Sequence, residues 1–309
     1  MTPRTFTGIA ALATLLAAAP ATAANVVTAQ QGGVARWSGM AASECGIYGK
    51  RYPAVDATCF YPVDIDAKPG SHQIALWDQD GKRHVGTLKI QATEFPTVDM
   101  PLPESLDRFL HVSDADAKRA AGERKALSEV LGGSTEQQPH FSLPLHAPAS
   151  PLPASEDDFG SRRVFDPEHT SRHTGRDYPV GAGKAVDAIA DGTVTLAADH
   201  FYTGNSVYLD HGDGLVSMVF HLDSLAVKTG DVVKRGDTLG KVGGTGRATG
   251  PHLHLGLRWL GKRIDPALLL HDPADLPAVS DSAGEAQEKI DAAEHREPAE
   301  DDVPMEDEG

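Results

Sequence analysis

Residues 251–257 read PHLHLGL, and this stretch decides how the second half of the chain folds. Side chains of a β-strand alternate between two faces, so His252, His254 and Gly256 share one face and the three leucines share the other. The leucine face suits a packed core, and the histidine face suits polar chemistry. Two neighbouring imidazoles can both bind a metal ion, or one can bind it while the other acts as a base. Two exposed surface histidines are the alternative.

Upstream of this strand, His173 and Asp177 lie in the sequence HTGRD. Their spacing of four also keeps two strand residues on one face. With one histidine of the pair they supply two nitrogen ligands and one oxygen ligand, and three protein ligands plus an open position are typical of catalytic zinc. A turn with a local hydrogen bond is the alternative for HTGRD alone. His221, at the end of a predicted strand, is a further candidate, with a solvent-facing histidine as its alternative.

Short β-forming runs separated by turns surround these motifs. They cover 192–197, 206–210 and 215–222, and HGDG at 211–214 predicts a hairpin between the last two. The sequence therefore predicts a mainly β protein whose antiparallel catalytic domain extends over 159–270.

The stretch 159–270 resembles the lysostaphin-like, or LytM-type, zinc endopeptidases of peptidoglycan. Order and spacing both match in five segments: FGSRR at 159–163, HTGRD at 173–177, FHL at 220–222, GGTGRATGPHLH at 243–254 and IDP at 264–266. Val219 is a mild departure, because many relatives have tyrosine two positions before the third histidine. The resemblance implies a sheet domain of the duplicated hybrid motif type.

The resemblance also implies residue roles. His173, Asp177 and His254 would hold one zinc ion per chain, and His221 and His252 would face the attacking water and the scissile carbonyl. It does not decide which of these two histidines is the base.

The implied function is zinc-dependent hydrolysis of peptidoglycan stem or cross-link peptides, with the D-Ala to diaminopimelate bond as the preferred target. One alternative is a non-enzymatic LytM-like regulator of a wall amidase, which would be expected to have lost ligands or catalytic histidines. Another is a secreted bacteriolytic protease, which a basic wall-binding domain would favour. No basic stripe stands out, so nucleic-acid binding is not expected.

The N-terminus predicts export. Residues 1–24 combine Arg4, an apolar run and small residues before a cleavage point near Ala23, as in a secretory signal peptide. We expect the periplasm as destination, with secretion as the alternative, and no transmembrane anchor after cleavage. The two cysteines, Cys45 and Cys59, would then meet an oxidising compartment and form a disulfide.

The 309 residues are 40% hydrophobic and 23% charged, which indicates a globular chain of several domains. Residues 25–100 predict a small immunoglobulin-like β domain, and 101–158 a helical segment, with a capping box at Ser113 and Asp116, followed by a Pro-rich linker. Residues 271–309 predict a disordered acidic tail that carries −12 of the net charge of −16. The N-terminal domain or the tail could bind a protein regulator.

One regulatory hypothesis concerns the linker. It contains His140, His146, Glu156, Asp157 and Asp158, any of which could occupy the open metal position and keep the enzyme latent. A solvated linker is the alternative.

Overall fold

The computed structural model describes residues 25–132, 138–155 and 159–279. The predicted signal segment 1–24, the linker acids 156–158 and residues 280–309 of the acidic tail lie outside these ranges. The predicted mainly β architecture is confirmed. Within the described ranges, no helix is long and apolar enough to cross a membrane.

The N-terminal region contains eight strands: β1 (Val26–Gln30), β2 (Val34–Trp37), β3 (Ala42–Ile47), β4 (Lys50–Pro53), β5 (Cys59–Pro62), β6 (Gly70–Asp78), β7 (Arg83–Gln91) and β8 (Thr97–Asp99). A 3-10 helix (Glu104–Phe109) and helix α1 (Asp114–Gly132) follow. After α1, the described residues up to 279 contain twelve strands and two short helices: β9 (Arg162–Val164), β10 (Thr170–Arg172), β11 (Gly175–Tyr178), β12 (Ala185–Asp187), β13 (Gly192–His200), β14 (Gly204–Asp210), β15 (Leu215–Leu225), β16 (Val232–Val233), β17 (Thr238–Val242), β18 (Leu253–Trp259), β19 (Lys262–Ile264), α2 (Ala267–Leu270), a 3-10 helix (Pro273–Asp275) and β20 (Ala278–Val279).

The N-terminal strands form two sheets around one core. The larger sheet has the order β1-β7-β6-β3-β4, with β1 and β7 parallel, and the smaller has the order β20-β2-β5. Ile74, Leu76 and Leu88 are fully buried in the core cluster of this region. Cys45 of β3 and Cys59 of β5 are joined by a disulfide, which links the two sheets. The crosslink stabilises this region mainly by restricting the unfolded chain.

The second region is built on one nine-stranded sheet with the central order β11-β18-β15-β14-β13-β16. Strand β18 is antiparallel to both β11 and β15, so it lies inside the sheet. Leu253, Leu255 and Leu257 are all fully buried in the core, as the alternation of the sequence predicts. The opposite face of β18 therefore presents the polar residues of the motif.

Helix α1 begins as its sequence predicts. The Asp116 backbone N–H donates to Ser113 Oγ over 3.2 Å, and the Ser113 hydroxyl lies 3.1 Å from Asp116 Oδ2. The end of the helix packs Leu127 and Leu131 against a cluster on the sheet that contains Tyr208, Val216 and Met218. The helix thus lies across the same sheet that carries the histidines.

The Pro-rich segment is not a solvated spacer where the structure describes it. Phe141, Leu145 and Ala149 are buried in the core of the second region, and the Phe141 ring lies 5.5 Å from that of Trp259. The Leu145 N–H donates to the carbonyl of Leu269 over 2.7 Å. The expectation of an extended linker is corrected over 138–155, because its apolar side chains complete the core of the sheet domain.

Strand pairing also ties the two regions together. Strand β8 pairs in parallel with β9, and β20 pairs in parallel with β2. Arg36 of β2 donates from its backbone and side chain to carbonyls of residues 274–277. The predicted tail boundary at 270 is therefore too early, since residues up to Val279, which is buried, belong to the packed structure.

Candidate metal centre and substrate groove

Three side chains from two distant parts of the chain converge at one end of β18. His254 Nδ1 lies 2.7 Å from Asp177 Oδ1 and 3.1 Å from His173 Nε2, and His173 Nε2 lies 3.3 Å from Asp177 Oδ1. Asp177 lies on β11 directly opposite His254 of β18. His173 precedes β11, so the strand alternation used in the sequence argument places Asp177 but not His173.

The donor set of this cluster fits a metal ion. Both imidazoles are at least nine-tenths buried, and their nitrogens face each other and the same carboxylate oxygen. A hydrogen on His254 Nδ1 can bond either Asp177 Oδ1 or His173 Nε2, but not both. A metal cation placed between these three atoms would attract all of them. Burial alone would raise the pKa of the Asp177 carboxyl, but hydrogen bonds to His173 and His254 lower it well below its ordinary value. Asp177 is thus anionic at neutral pH, as a carboxylate metal ligand would have to be.

Neighbouring side chains hold these ligands in place. Arg163 donates to Asp177 Oδ2 over 2.6 Å, which leaves Oδ1 directed at the histidines. The Phe220 ring stacks on the His254 ring, with centroids 4.9 Å apart and planes 6° from parallel. A Cβ atom at Gly175 would lie 2.6 Å from His254 Nε2, so only glycine leaves room for this imidazole. Partners of this kind orient metal ligands and fix their geometry.

His221 reaches the centre through a local break in β15. Its φ of +61° is in the left-handed region, which is uncommon for residues other than glycine, and the pairing of β14 with β15 shifts register nearby. Phe220 and His221 therefore both face the metal centre, although regular alternation would point them to opposite sides. The His221 ring lies 5.1 Å from that of His252 and 6.1 Å from that of His254.

His221 and His252 are held in the same tautomer. His221 Nδ1 lies 2.8 Å from the carbonyl oxygen of Thr245, and His252 Nδ1 lies 2.8 Å from that of Gly250. A carbonyl only accepts, so each Nδ1 carries the hydrogen and each Nε2 is left to accept a proton. Burial, followed by the nearby His254 and His252, lowers the pKa of His221 to about 3. His252 is more open, and its Nε2 lies 3.5 Å from Asp177 Oδ1.

The centre lies in a groove of about 430 Å³. Aromatic and charged side chains line it, and Met100 and Leu102, which follow β8, contribute one wall. His140 and His146 of the linker do not line the groove: the His140 backbone N–H donates to the carbonyl of His211, at the far end of the hairpin. The remaining residues of the latency hypothesis, 156–158, lie outside the described residues.

Comparison with known proteins identifies the class to which this sheet domain belongs. Residues 171–266 match the family model described as peptidase family M23, in agreement with the LytM-type resemblance. Two further relatives, from Buchnera aphidicola and Haemophilus influenzae, are 35% and 36% identical to this chain over 102 and 118 residues and are named as metalloproteases.

Individual relatives sharpen the comparison. Peptidoglycan DD-endopeptidase ShyC of Vibrio cholerae serotype O1 is 37% identical over 116 residues, which are 38% of this chain and 26% of ShyC. DD-carboxypeptidase/endopeptidase Mpg of Neisseria meningitidis serogroup B is 37% identical over 126 residues, which are 40% of this chain and 29% of Mpg. The chain therefore matches less than a third of the length of these curated relatives.

A solved structure extends the similarity beyond the catalytic segment. The crystal structure of a Pseudomonas aeruginosa protein assigned to peptidase M23 is 28% identical, with a TM-score of 0.59. The match covers 78% of this chain and 94% of that one. The similarity to this structure therefore covers more of the chain than residues 171–266.

The structure brings together all five histidine and aspartate positions singled out in the sequence. Sequence reasoning assigned no role to Arg163 or Phe220, although both stand inside quoted motifs. The adjacency of FGSRR to HTGRD and of Phe220 to His221 was the available signal. Only the fold shows that these side chains touch the ligands.

Proposed function

We propose that this protein is a zinc-dependent peptidoglycan endopeptidase that hydrolyses stem or cross-link peptides, with the D-Ala to diaminopimelate bond as its target. The observation that carries the proposal is the convergence of His173, Asp177 and His254 beside the open Nε2 atoms of His221 and His252. A non-enzymatic regulator has no need of such a constellation. The DD-endopeptidase names of relatives that share the M23 segment support the same activity.

Two imidazole nitrogens and one carboxylate oxygen are a ligand set that zinc adopts in catalytic sites. His173, Asp177 and His254 would hold the ion, and Arg163 would keep Asp177 in its ligating orientation. When bound, zinc supplies Lewis acidity to the scissile carbonyl and to the attacking water.

The two remaining histidines would move the proton. We assign His252 as the proton acceptor, because its Nδ1 donates to the carbonyl of Gly250 and its Nε2 lies 3.5 Å from Asp177 Oδ1. After it accepts a proton from water, the same Nε2–H can donate to the departing amine, which completes hydrolysis of the peptide bond. His221 stays neutral near pH 7 and would orient the attacking water through its own Nε2.

We further propose that the protein acts in the periplasm after removal of residues 1–24. Peptidoglycan is the partner that the relatives' names indicate, and a protein regulator acting through the N-terminal region or the acidic tail remains our prediction. The N-terminal region, with β8 paired to β9 and Met100 in the groove wall, is placed to influence access of the substrate.

The test is digestion of purified sacculi by the zinc-loaded full chain, read by mass spectrometry of the released muropeptides. We expect cross-linked dimers to fall and monomers to rise. The same digestion with chelator, and with the His252→Ala variant, should leave the dimers intact. Unchanged dimers in the zinc-loaded sample, with zinc bound and the fold intact, would overturn the proposal and favour a regulator.

A further inference from the structure

Arg247 occupies an unusual position in the wall of the groove. Its guanidinium lies 4.4 Å from the Phe165 ring centroid and 5.0 Å from that of Tyr202, and both rings line the same groove. Its backbone N–H donates to the carbonyl of Tyr202 over 2.8 Å. The cation is therefore held between aromatic groups with little freedom to reorient.

No carboxylate neutralises this guanidinium within the ranges that the structure describes. The two other arginines of the groove are engaged: Arg163 bonds Asp177 over 2.6 Å, and Arg172 lies 3.9 Å from Asp66. Burial lowers the pKa of Arg247, but an arginine remains charged at neutral pH. Arg247 thus lines the groove with no anionic acceptor among the described residues.

The groove is cationic although the chain is acidic. Three arginines and a single aspartate line it, and that aspartate is already shared by Arg163 and the ligand histidines. The net charge of the whole chain is −16. A local excess of positive charge in such a protein indicates an anionic ligand in this groove.

The loop that carries Arg247 also orients the two histidines proposed to act on the substrate. Thr245, two residues earlier, accepts the hydrogen bond that orients His221, and Gly250, three residues later, accepts the one that orients His252. An anion bound by Arg247 would therefore lie close to the peptide bond under attack.

We propose that Arg247 is a specificity-determining residue that binds a free carboxylate of the peptide next to the scissile bond. The inference rests on the proposed function. A D-Ala to diaminopimelate cross-link carries a free carboxylate on the carbon bonded to the scissile nitrogen, and a guanidinium can bind such a group through two parallel hydrogen bonds.

The test uses two synthetic cross-linked peptides that differ only in this carboxylate, which is free in one and a carboxamide in the other. The kcat/KM of the zinc-loaded full chain should be about 10- to 100-fold higher for the free acid, the value of one hydrogen-bonded charge pair. Arg247→Met, which keeps an apolar stem between the two rings, should bring the ratio to about one. Arg247→Lys should keep part of the preference for the free acid. Arg172→Met, the matched control in the same groove, should keep the full preference.

The outcomes separate the two proposals. Equal cleavage of both peptides by the unmodified protein overturns the role of Arg247 and leaves the endopeptidase standing. A preference that survives Arg247→Met, or that Arg172→Met removes to the same extent, also overturns it. Cleavage of neither peptide by a zinc-loaded, folded protein removes the proposed function and this inference together. A role for Arg247 only in ordering its loop would lower both rates without changing their ratio.

Discussion

Asp213 offers a test of the energetics of the sheet domain. It lies in the turn between β14 and β15, only 4% exposed, and its Oδ2 accepts a hydrogen bond from Trp259 Nε1 over 3.4 Å. Burial raises the pKa of this carboxyl to about 7, and the Trp259 hydrogen bond opposes the rise only in part. Asp213 therefore carries a buried negative charge above neutral pH.

The size and sign of its effect on stability follow from the two pKa values. The folded value of about 7 exceeds the unfolded value of about 3.9, so the folded protein binds more protons between them. The contribution of Asp213 to the free energy of unfolding should therefore be most favourable below about pH 4 and fall as pH rises through about 7, by about 4 kcal/mol in all.

The perturbation is Asp213→Asn, which keeps the shape of the side chain and removes its ionisation. Asparagine also tolerates the φ of +47° at this position. The variant should match the original protein near pH 4 and exceed its stability by about 4 kcal/mol near pH 8. Urea unfolding of both proteins at several pH values measures the difference.

The design isolates Asp213 from its neighbours. Burial lowers the pKa of His211 to about 4, which gives an opposite slope, but His211 is present in both proteins and cancels in their difference. Asp223→Asn makes the same change of charge at an exposed position of β15 and serves as control. A stability difference between Asp213→Asn and the original protein that is equal at low and high pH would refute the reasoning.

Three further predictions concern the site and the crosslink. Asp177→Asn should lower the zinc content per chain well below one, because it removes the anionic ligand; elemental analysis showing full occupancy would contradict the assignment. His252→Ala and His221→Ala should each lower kcat by at least about 100-fold with zinc retained. If either variant keeps a near-normal kcat in the muropeptide assay, the histidine it replaces neither carries the proton nor orients the water. Replacing both Cys45 and Cys59 by alanine should lower the free energy of unfolding by about 3 kcal/mol, given their separation of 14 residues, and an unchanged urea midpoint would exclude this role.

Local patterns in the sequence predict local structure well. The alternation at 252–257 places three leucines in the core and His254 on the opposite face, because strand periodicity depends only on the backbone. Ser113 and Asp116 predict the start of α1 for a similar reason, since a capping box closes within four residues. Resemblance to a family adds the grouping of the five histidine and aspartate positions.

Features that depend on distant contacts escape such patterns. His221 points toward the metal centre because its backbone is in the left-handed region and the pairing of β14 with β15 shifts register. Neither feature can be predicted from the periodicity of the sequence. The contact of Arg163 with Asp177 depends on β9 lying near β11. Phe141 and Leu145 looked like parts of a linker because their partners in the core are far away in sequence.

The pairing of β20 with β2 has a consequence for the order in which the chain acquires its structure. The smaller N-terminal sheet receives one of its three strands from residues 278–279, more than 200 positions after β5. During synthesis this sheet stays incomplete until nearly the whole described chain has emerged. Closing so large a loop is slow compared with local hairpin formation, so complete folding is postponed to the end of synthesis.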